Sequence, residues 1–273
     1  MTIRDLLCHT SGLTYDFMHR TNVDAAYRKT KVQQSETLEE FVETLASLPL
    51  EFSPGDKWNY SVSTDVLGYL VEVFSGMKLE EYFKENIFNP LEMRDTSFSC
   101  PEDKLDRLSA LYEHNPQGQP RLLEIPFLNT KMASGGGGLF STMTDYHNFC
   151  YMLLHQGEFK GKRLIGRKTL ELMTANHLPN NQDLTEMSES AFSETPYAGV
   201  GFGLGFSVML DPAKSQSLSD AGEFGWGGAA STVFFINPEE DMFVIFLTQL
   251  LPSSTYQVRR ELRSLIYSAL KPK

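Results

Sequence analysis

Four short stretches hold residues whose types and spacing could do chemistry. The first is Trp58-Asn59-Tyr60-Ser61-Val62-Ser63-Thr64-Asp65-Val66-Leu67-Gly68, which follows a Pro54-Gly55 turn and runs into a helical pattern. A tyrosine where a turn meets a helix serves either as a packing residue or as a proton carrier, and local sequence leaves both open. The second is Ser75-Gly76-Met77-Lys78, a literal S-x-x-K. On an unbroken helix positions 75 and 78 share a face, and the amine could act as base toward the hydroxyl. Gly76 breaks that helix, however, and a helix over 64–74 sets Ser75 about 15 residues beyond Tyr60, roughly 22 Å at 1.5 Å per residue. Tyr60 could not then assist Ser75. The third is His9-Thr10-Ser11-Gly12-Leu13, where residues two apart are poorly placed for a proton relay and no acid lies nearby. His9 is therefore expected to be a loop-fixing hydrogen bonder. The fourth is Trp226-Gly227-Gly228-Ala229, just ahead of an apolar run.

Other chemistries leave no trace. There is no H-E-x-x-H, no G-x-S-x-G and no cysteine set with zinc spacing. Cys8, Cys100 and Cys150 are odd in number and far apart, so they read as mostly buried free thiols. Ser134-Gly135-Gly136-Gly137-Gly138-Leu139-Phe140 lacks both GK[ST] and GxGxxG, which favours close backbone packing over a phosphate cradle. What remains is hydrolysis through an activated serine, with no metal and no cofactor. A net charge of -11 argues against a broad nucleic-acid surface and against adhesion to anionic membranes. With no signal peptide and no 18-residue apolar span, the chain reads as cytoplasmic and without stable membrane insertion.

The elements that must position these residues follow from periodicity. At 273 residues, with 41% hydrophobic and 22% charged, the chain suits one large domain carrying a helical lobe. Helices are expected over 2–8, although a start at the second residue leaves no room for a lead-in. Others are expected after the Thr37–Glu40 capping box, over 64–74, over 79–87, after Thr142–Asp145, and over 169–175. In 64–74 the apolar positions are Val66, Leu67, Leu70, Val71 and Phe74, with Ser61 or Ser63 as cap. Residues 14–36 read as a loop-rich lobe, and 179–199 as an exposed loop or lid. Strands are expected over 203–210, 232–236 and 242–248, the last two as antiparallel neighbours in a sheet covered on both faces. A final helix over 256–270 should lay Val258, Leu262, Leu265, Ile266 and Ala269 on that sheet. The class is α+β, an α/β sandwich with an antiparallel central sheet flanked by helices. The helical lobe spans roughly 14–175 and the sheet-forming part roughly 200–273.

At Trp58-x-Tyr60-Ser61-x-x-x-Asp65-Val-Leu-Gly68 the sequence resembles the serine beta-lactamase-like hydrolases, a superfamily that includes the penicillin-binding proteins. It is most similar to the carboxylesterases related to class C beta-lactamases, known as family VIII esterases. Further agreement comes from Ile3-Arg-Asp-Leu-Leu7 with His9–Leu13, from Gly136-Gly-Gly-Leu139 through Asp145, and from Trp226-Gly-Gly228 before strands ending in Thr248-Gln249. The resemblance implies a beta-lactamase/transpeptidase-like fold and an acyl-enzyme mechanism. A serine of an S-x-x-K motif attacks an ester or lactam carbonyl, its lysine helps to activate it, and a tyrosine, here Tyr60, shuttles the proton. Trp226-Gly227-Gly228 matches the family's third motif, and by position the backbone N–H of Ala229 at the strand edge becomes an oxyanion donor.

The departures are informative. Lactamases carry Lys-Thr-Gly where this chain has Trp226-Gly227-Gly228, and Val62 replaces the asparagine two residues after the tyrosine. Both turn the expectation from a beta-lactamase or D,D-peptidase acting on an amide toward an esterase acting on a small uncharged ester. The family's S-x-x-K helix lies upstream of the stretch resembling Ile3–Leu7, so Ser75 and Lys78 are not its match. The chain is accordingly expected to be a truncated homologue lacking the N-terminal segment, with that part supplied by another chain or with a catalytically inactive scaffold or binding role. A homodimer is the expected answer to the apolar sheet surface this leaves.

Overall fold

The computed structural model describes residues 1–125, 128, 131–188 and 197–271. They fall into two compact units. The first comprises Met1–Glu102, Pro126–Asp145 and Met187–Ser193, and the second Asp103–Ile125, Tyr146–Glu186 and Glu194–Lys273.

The first unit is helical. Helix α1 (Ile3–Leu7) starts at the third residue, with Thr2 as its cap. The Thr2 hydroxyl accepts from the Asp5 N–H at 3.2 Å while the Asp5 carboxylate accepts from the Thr2 N–H at 2.6 Å, a complete capping box. Within 14–36, read as loop, lies helix α2 (Asn22–Thr30), started by a second box of Thr21 and Asp24. Its apolar pattern is too sparse to stand out, since it buries a single aromatic, Tyr27, completely. Helix α3 (Leu38–Ala46) is capped by Thr37 as expected, but Glu40 reaches back to the Glu36 N–H at 2.8 Å. Helix α4 (Ser63–Ser75) ends at Gly76, whose φ of 69° is the left-handed conformation that glycine adopts without strain. Its cap position is Val62, with no side-chain cap, and the Ser63 N–H instead reaches Ser61 Oγ at 3.4 Å. Its fully buried residues are Ser63, Asp65 and Gly68, while Phe74, expected on the apolar stripe, is 73% exposed. Helix α5 (Leu79–Phe83) continues into a π turn over Lys84–Phe88. The core joins Leu6, Leu13, Tyr15, Tyr27, Val32, Phe41, Leu45 and Val62.

The second unit carries the sheet. Strands β1 (Leu111–Glu113) and β2 (Arg121–Leu123) form a hairpin over the Asn115–Gly118 turn. Helix α6 (Met143–Leu154), the pair β3 (Glu158–Phe159) and β4 (Lys162–Arg163), helix α7 (Arg167–Met173) and the short α8 (Leu184–Met187) follow. Asp183 and Leu184 are buried, so this part of the supposed lid is packed structure; residues 189–196 of it lie outside the described residues. Of the stretch expected as one strand over 203–210, residues 203–206 form a turn and only Ser207–Met209 is strand. Strand β5 (Val200–Phe202) turns through Gly203–Phe206, where Gly205 has φ of 97°, into β6 (Ser207–Met209). After α9 (Pro212–Ser215) come β7 (Phe224–Gly227), β8 (Val233–Asn237), β9 (Met242–Phe246) and β10 (Leu250–Leu251). Strands β5 to β9 form a five-stranded antiparallel sheet in sequence order, and β10 pairs in parallel with β1.

Helix α10 (Val258–Ser268) meets the sheet differently from expectation. Leu265 is 72% exposed and Ala269 is exposed too. The face turned to the sheet holds Arg259, Arg263 and Tyr267: the Arg263 guanidinium lies 4.2 Å from the Phe235 ring centroid, and Tyr267 stacks on Phe235 at 6.3 Å. Buried Glu223 accepts from both Arg263 and Tyr267, so charge pairing does what an apolar stripe normally does. Among the described residues no helix is long and apolar enough to cross a membrane.

Candidate active site

Tyr60 sits on an extended segment pinned from both ends. The Trp58 N–H donates to Met187 O at 2.8 Å, the Asn59 N–H to His9 O at 2.9 Å, and the Val62 N–H to Thr14 O at 3.4 Å. Trp58, Asn59, Ser61 and Val62 are all fully buried. The Asn59 amide donates to Leu13 O at 2.9 Å and to Glu51 at 3.1 Å, and accepts from Arg20. Four buried neighbours, three of them tied through their backbone N–H groups, leave Tyr60 little positional freedom. Its own ring is the half-buried one in the run, between His9 at 5.0 Å and Tyr15 at 5.2 Å.

Beneath this ring runs a chain of buried hydroxyls. Ser11 Oγ lies 2.7 Å from Ser63 Oγ, which lies 2.8 Å from Ser61 Oγ, which lies 3.3 Å from His9 Nδ1. His9 is buried and holds φ of 56°, and burial pushes its imidazole down to about 3, so it stays neutral near pH 7. This is the loop-fixing role expected of it. Neither Ser61 nor Ser63 caps α4 with its side chain, because both hydroxyls belong to this network. Tyr15 follows the same loop, stacks on Phe17 at 4.7 Å, and its ring lies 5.2 Å from that of Tyr60.

The glycine-rich loop packs here as expected. A side chain on Gly135 would put its Cβ 2.2 Å from Thr64 O, so only glycine lets the loop lie against the first turn of α4. Asp65 accepts from Ser134 Oγ and from the Gly136 N–H, and burial raises its carboxyl above the usual range.

Ser75 and Lys78 have other employment. The Ser75 hydroxyl donates to Val71 O at 2.6 Å and accepts from the Met77 N–H at 3.1 Å, closing the last turn of α4. The exposed Lys78 ammonium pairs with Glu72 at 3.3 Å. Along α4 the twelve-residue rise from Ser63 to Ser75 is roughly 18 Å.

In the second unit Trp226 and Gly227 end β7 opposite Phe234 and Val233. Trp226 meets Phe202 edge to face at 5.4 Å. The chain then turns: the Gly228 N–H donates to Thr232 O at 2.9 Å and the Ser231 N–H to Gly228 O at 3.0 Å. Ala229 is exposed in this turn, beyond the end of the strand rather than along its edge. Arg259 of α10 donates to Gly228 O and to Thr232 O, both at 2.9 Å, and its guanidinium lies where a side chain on Gly227 would go. Sequence reasoning missed Arg259 and Tyr15, each carried by a segment whose pattern suggested something else. Cys8 and Cys150 are buried, with thiols pushed up by burial to about 11 and about 12; Cys100 is partly exposed. No described group of three or more His, Cys, Asp or Glu side chains is placed to hold a metal ion.

A family model described as Beta-lactamase matches residues 1–268. An uncharacterized protein of Mycobacterium tuberculosis is 34% identical over 262 residues, 92% of this chain and 62% of that protein. The esterase EstB of Burkholderia gladioli is 28% identical over 277 residues, 91% of this chain and 64% of the esterase. The structure of unliganded simvastatin synthase (LovD) from Aspergillus terreus superposes with a TM-score of 0.81 at 26% identity, covering 100% of this chain and 70% of that one. The chain thus spans less than two thirds of the length of the Mycobacterium protein and of EstB.

Proposed function

Since the chain belongs to the beta-lactamase family, we propose that it carries the proton-transfer and oxyanion parts of a serine esterase working through an acyl-enzyme. The observation that carries this reading is Tyr60 itself. It is a half-buried phenol in a run of buried residues, packed against the ring of a buried second phenol and held by backbone ties on both sides. A packing tyrosine needs none of this; a proton carrier needs all of it.

In the proposed reaction a serine oxygen forms a bond to the ester carbonyl carbon as its proton passes to the Tyr60 oxygen. By resemblance to the family, the N–H of Ala229 would be the donor to the resulting oxyanion. Collapse breaks the bond to the alcohol, which leaves with the proton from Tyr60, and water then releases the acyl group by the reverse sequence. Trp226, where lactamases have lysine, offers a ring rather than a cation and suits an uncharged acyl or alcohol group. The likeness to EstB supports an ester substrate. Since the hydroxyl of Ser75 closes a helix turn, the reading places the acylated serine outside residues 1–273, in keeping with the greater length of the relatives.

The test is fluorophosphonate labelling of the protein at its natural length, with mass spectrometry of the modified peptide. The expected label falls on a serine outside residues 1–273, and Tyr60→Phe slows labelling by roughly 10²-fold or more, the usual worth of a positioned base. Label on Ser75, or labelling indifferent to Tyr60→Phe, overturns the reading. A folded protein that takes no label points instead to a binding role.

A further inference from the structure

Gly228 and Thr232 close the turn that carries Ala229, and each of their carbonyls takes two donors. Gly228 O accepts from the Ser231 N–H at 3.0 Å and from Arg259 Nη2 at 2.9 Å. Thr232 O accepts from the Gly228 N–H at 2.9 Å and from the same Nη2 at 2.9 Å. A carbonyl oxygen has two lone pairs, so both are used at each site, and neither peptide plane can rotate without breaking a bond. The far side of the turn is tied to β10: the Leu250 N–H donates to Ala230 O at 3.1 Å and the Ser231 hydroxyl to Leu250 O at 2.7 Å. Ala229 itself is exposed, and among the described residues its N–H has no acceptor. All of these groups lie in the second unit.

The direction of that N–H follows from the carbonyl before it. The Gly228 C=O and the Ala229 N–H belong to one planar trans peptide unit and point opposite ways. Arg259 holds the C=O toward α10, so the N–H faces away from α10 and out of the turn. We propose that Arg259 is a positioning residue: its guanidinium fixes the peptide plane between Gly228 and Ala229 and so aims the Ala229 N–H as an oxyanion donor. Its charge adds to this, because a cation on the carbonyl draws electron density through the peptide and makes the N–H a stronger donor. The missing side chain of Gly227 belongs to the same device, since an added Cβ would lie 2.7 Å from both Cζ and Nη2 of Arg259. The inference rests on the reading of Ala229 as oxyanion donor and supplies what holds that donor in place. Such donors work because they need no reorganisation as charge develops, and a turn peptide held on one side only would not meet that condition.

The experiment follows the Ala229 amide by NMR in the protein at its natural length, labelled with [15N]alanine, with Ala229→Gly identifying the signal by its loss. In the unmutated protein the Ala229 order parameter is expected near the rigid-backbone value of about 0.85, and in Arg259→Met below about 0.6, while Ala213 of α9 stays as it was. Arg259→Met should also lower kcat for p-nitrophenyl butyrate by about tenfold or more with KM little changed. The oxyanion exists only in the transition state, and loss of one donor to it costs about 10²–10³-fold. An Ala229 amide as ordered in Arg259→Met as before, or an unchanged kcat, overturns the proposal; a residue that only fastens α10 to the sheet gives that result with lowered stability. Should Arg259→Met not fold, Gly227→Ala displaces the guanidinium while keeping its charge, and the same two readings decide. A protein that takes no fluorophosphonate label defeats the reading of Ala229 as oxyanion donor, whereas the order parameter tests the hold of Arg259 on Ala229 whatever the label shows.

Discussion

Replacing Gly135 with alanine tests how the glycine-rich loop is seated. The added Cβ would lie 2.2 Å from Thr64 O, 3.0 Å from Thr64 C and 3.3 Å from the Asp65 Cα, all backbone atoms of the first turn of α4. Favourable contact needs about 3.5 Å, so loop and helix must part by about 1 Å. Neither side yields easily, because Ser134 and Gly136 on one are hydrogen-bonded to Asp65 on the other. Overpacking typically costs 1–3 kcal/mol, and a collision between two fixed backbones belongs at the top of that range, about 3 kcal/mol. Gly137, two residues on, has nothing within 4 Å of an added Cβ and is not in the left-handed region. Gly137→Ala should therefore be neutral or stabilise by about 0.4–1 kcal/mol through the unfolded chain. Urea unfolding read by tryptophan fluorescence measures both, in a Trp226→Phe background so that buried Trp58 reports on the first unit. With a slope of about 2 kcal/mol per molar urea, Gly135→Ala should lower the midpoint by about 1.5 M and Gly137→Ala should not lower it. Equal midpoints for the two variants would refute the packing account of this loop.

Two further outcomes follow from buried charge. The folded state denies His9 a proton that the unfolded chain takes below pH 6.5, since burial holds its imidazole at about 3. Stability from neutral His9 is thus full above pH 6.5 and declines as pH falls toward 3, by about 2 kcal/mol on going from pH 6.5 to 5. His9→Asn, which tolerates the left-handed backbone, should flatten that slope in urea titrations at the two pH values; an unchanged slope refutes the assignment. In the second unit, Arg263→Met leaves buried Glu223 without its cation and should cost roughly 3 kcal/mol. Adding Glu223→Gln should recover most of that in a double-mutant cycle, whereas strictly additive losses would show that the pair is not coupled.

What was legible in the sequence was whatever a strong period or a stop signal wrote there. Helix α4 ends at Gly76, and β8 and β9 pair through the turn at Asn237–Asp241, because apolar runs and turn residues admit few alternatives. Helix α2 escaped notice because its Thr21–Asp24 box is followed by polar residues around the single anchor Tyr27. The turn at 203–206 reads as strand in the sequence because glycines 203 and 205 lie between apolar residues, and only the backbone angles and hydrogen bonds there show a turn. The sheet-facing side of α10 was misread for a different reason. Periodicity counts apolar residues, and this helix meets the sheet with two arginines and a tyrosine satisfied by Glu223, Gly228 and Thr232. Tyr60 was legible through its motif, whereas Tyr15 was not, because nothing in an aperiodic loop says which aromatic will reach it.

Helix α4 shows most clearly that this region is built around position as well as stability. An amphipathic helix ordinarily buries its largest apolar side chains, yet α4 completely buries Ser63, Asp65 and Gly68. A carboxylate without solvent is costly, and its raised affinity for a proton shows that its two donors only partly offset the burial. Each of the three residues nevertheless ties down a segment that bears on Tyr60. Ser63 links Ser11 to Ser61 and so to His9, which lies against the Tyr60 ring. Asp65 holds Ser134 and Gly136, the loop that Tyr15 faces. At Gly68 a Cβ would lie 3.0 Å from Leu79 Cδ2 and 3.4 Å from Gly135 Cα, so its absence admits both neighbours. Departures from the rule for stable helices are expected where a site must be held in one geometry. Here all three departures converge on the neighbours of one half-buried phenol, the pattern expected of the proton carrier proposed above.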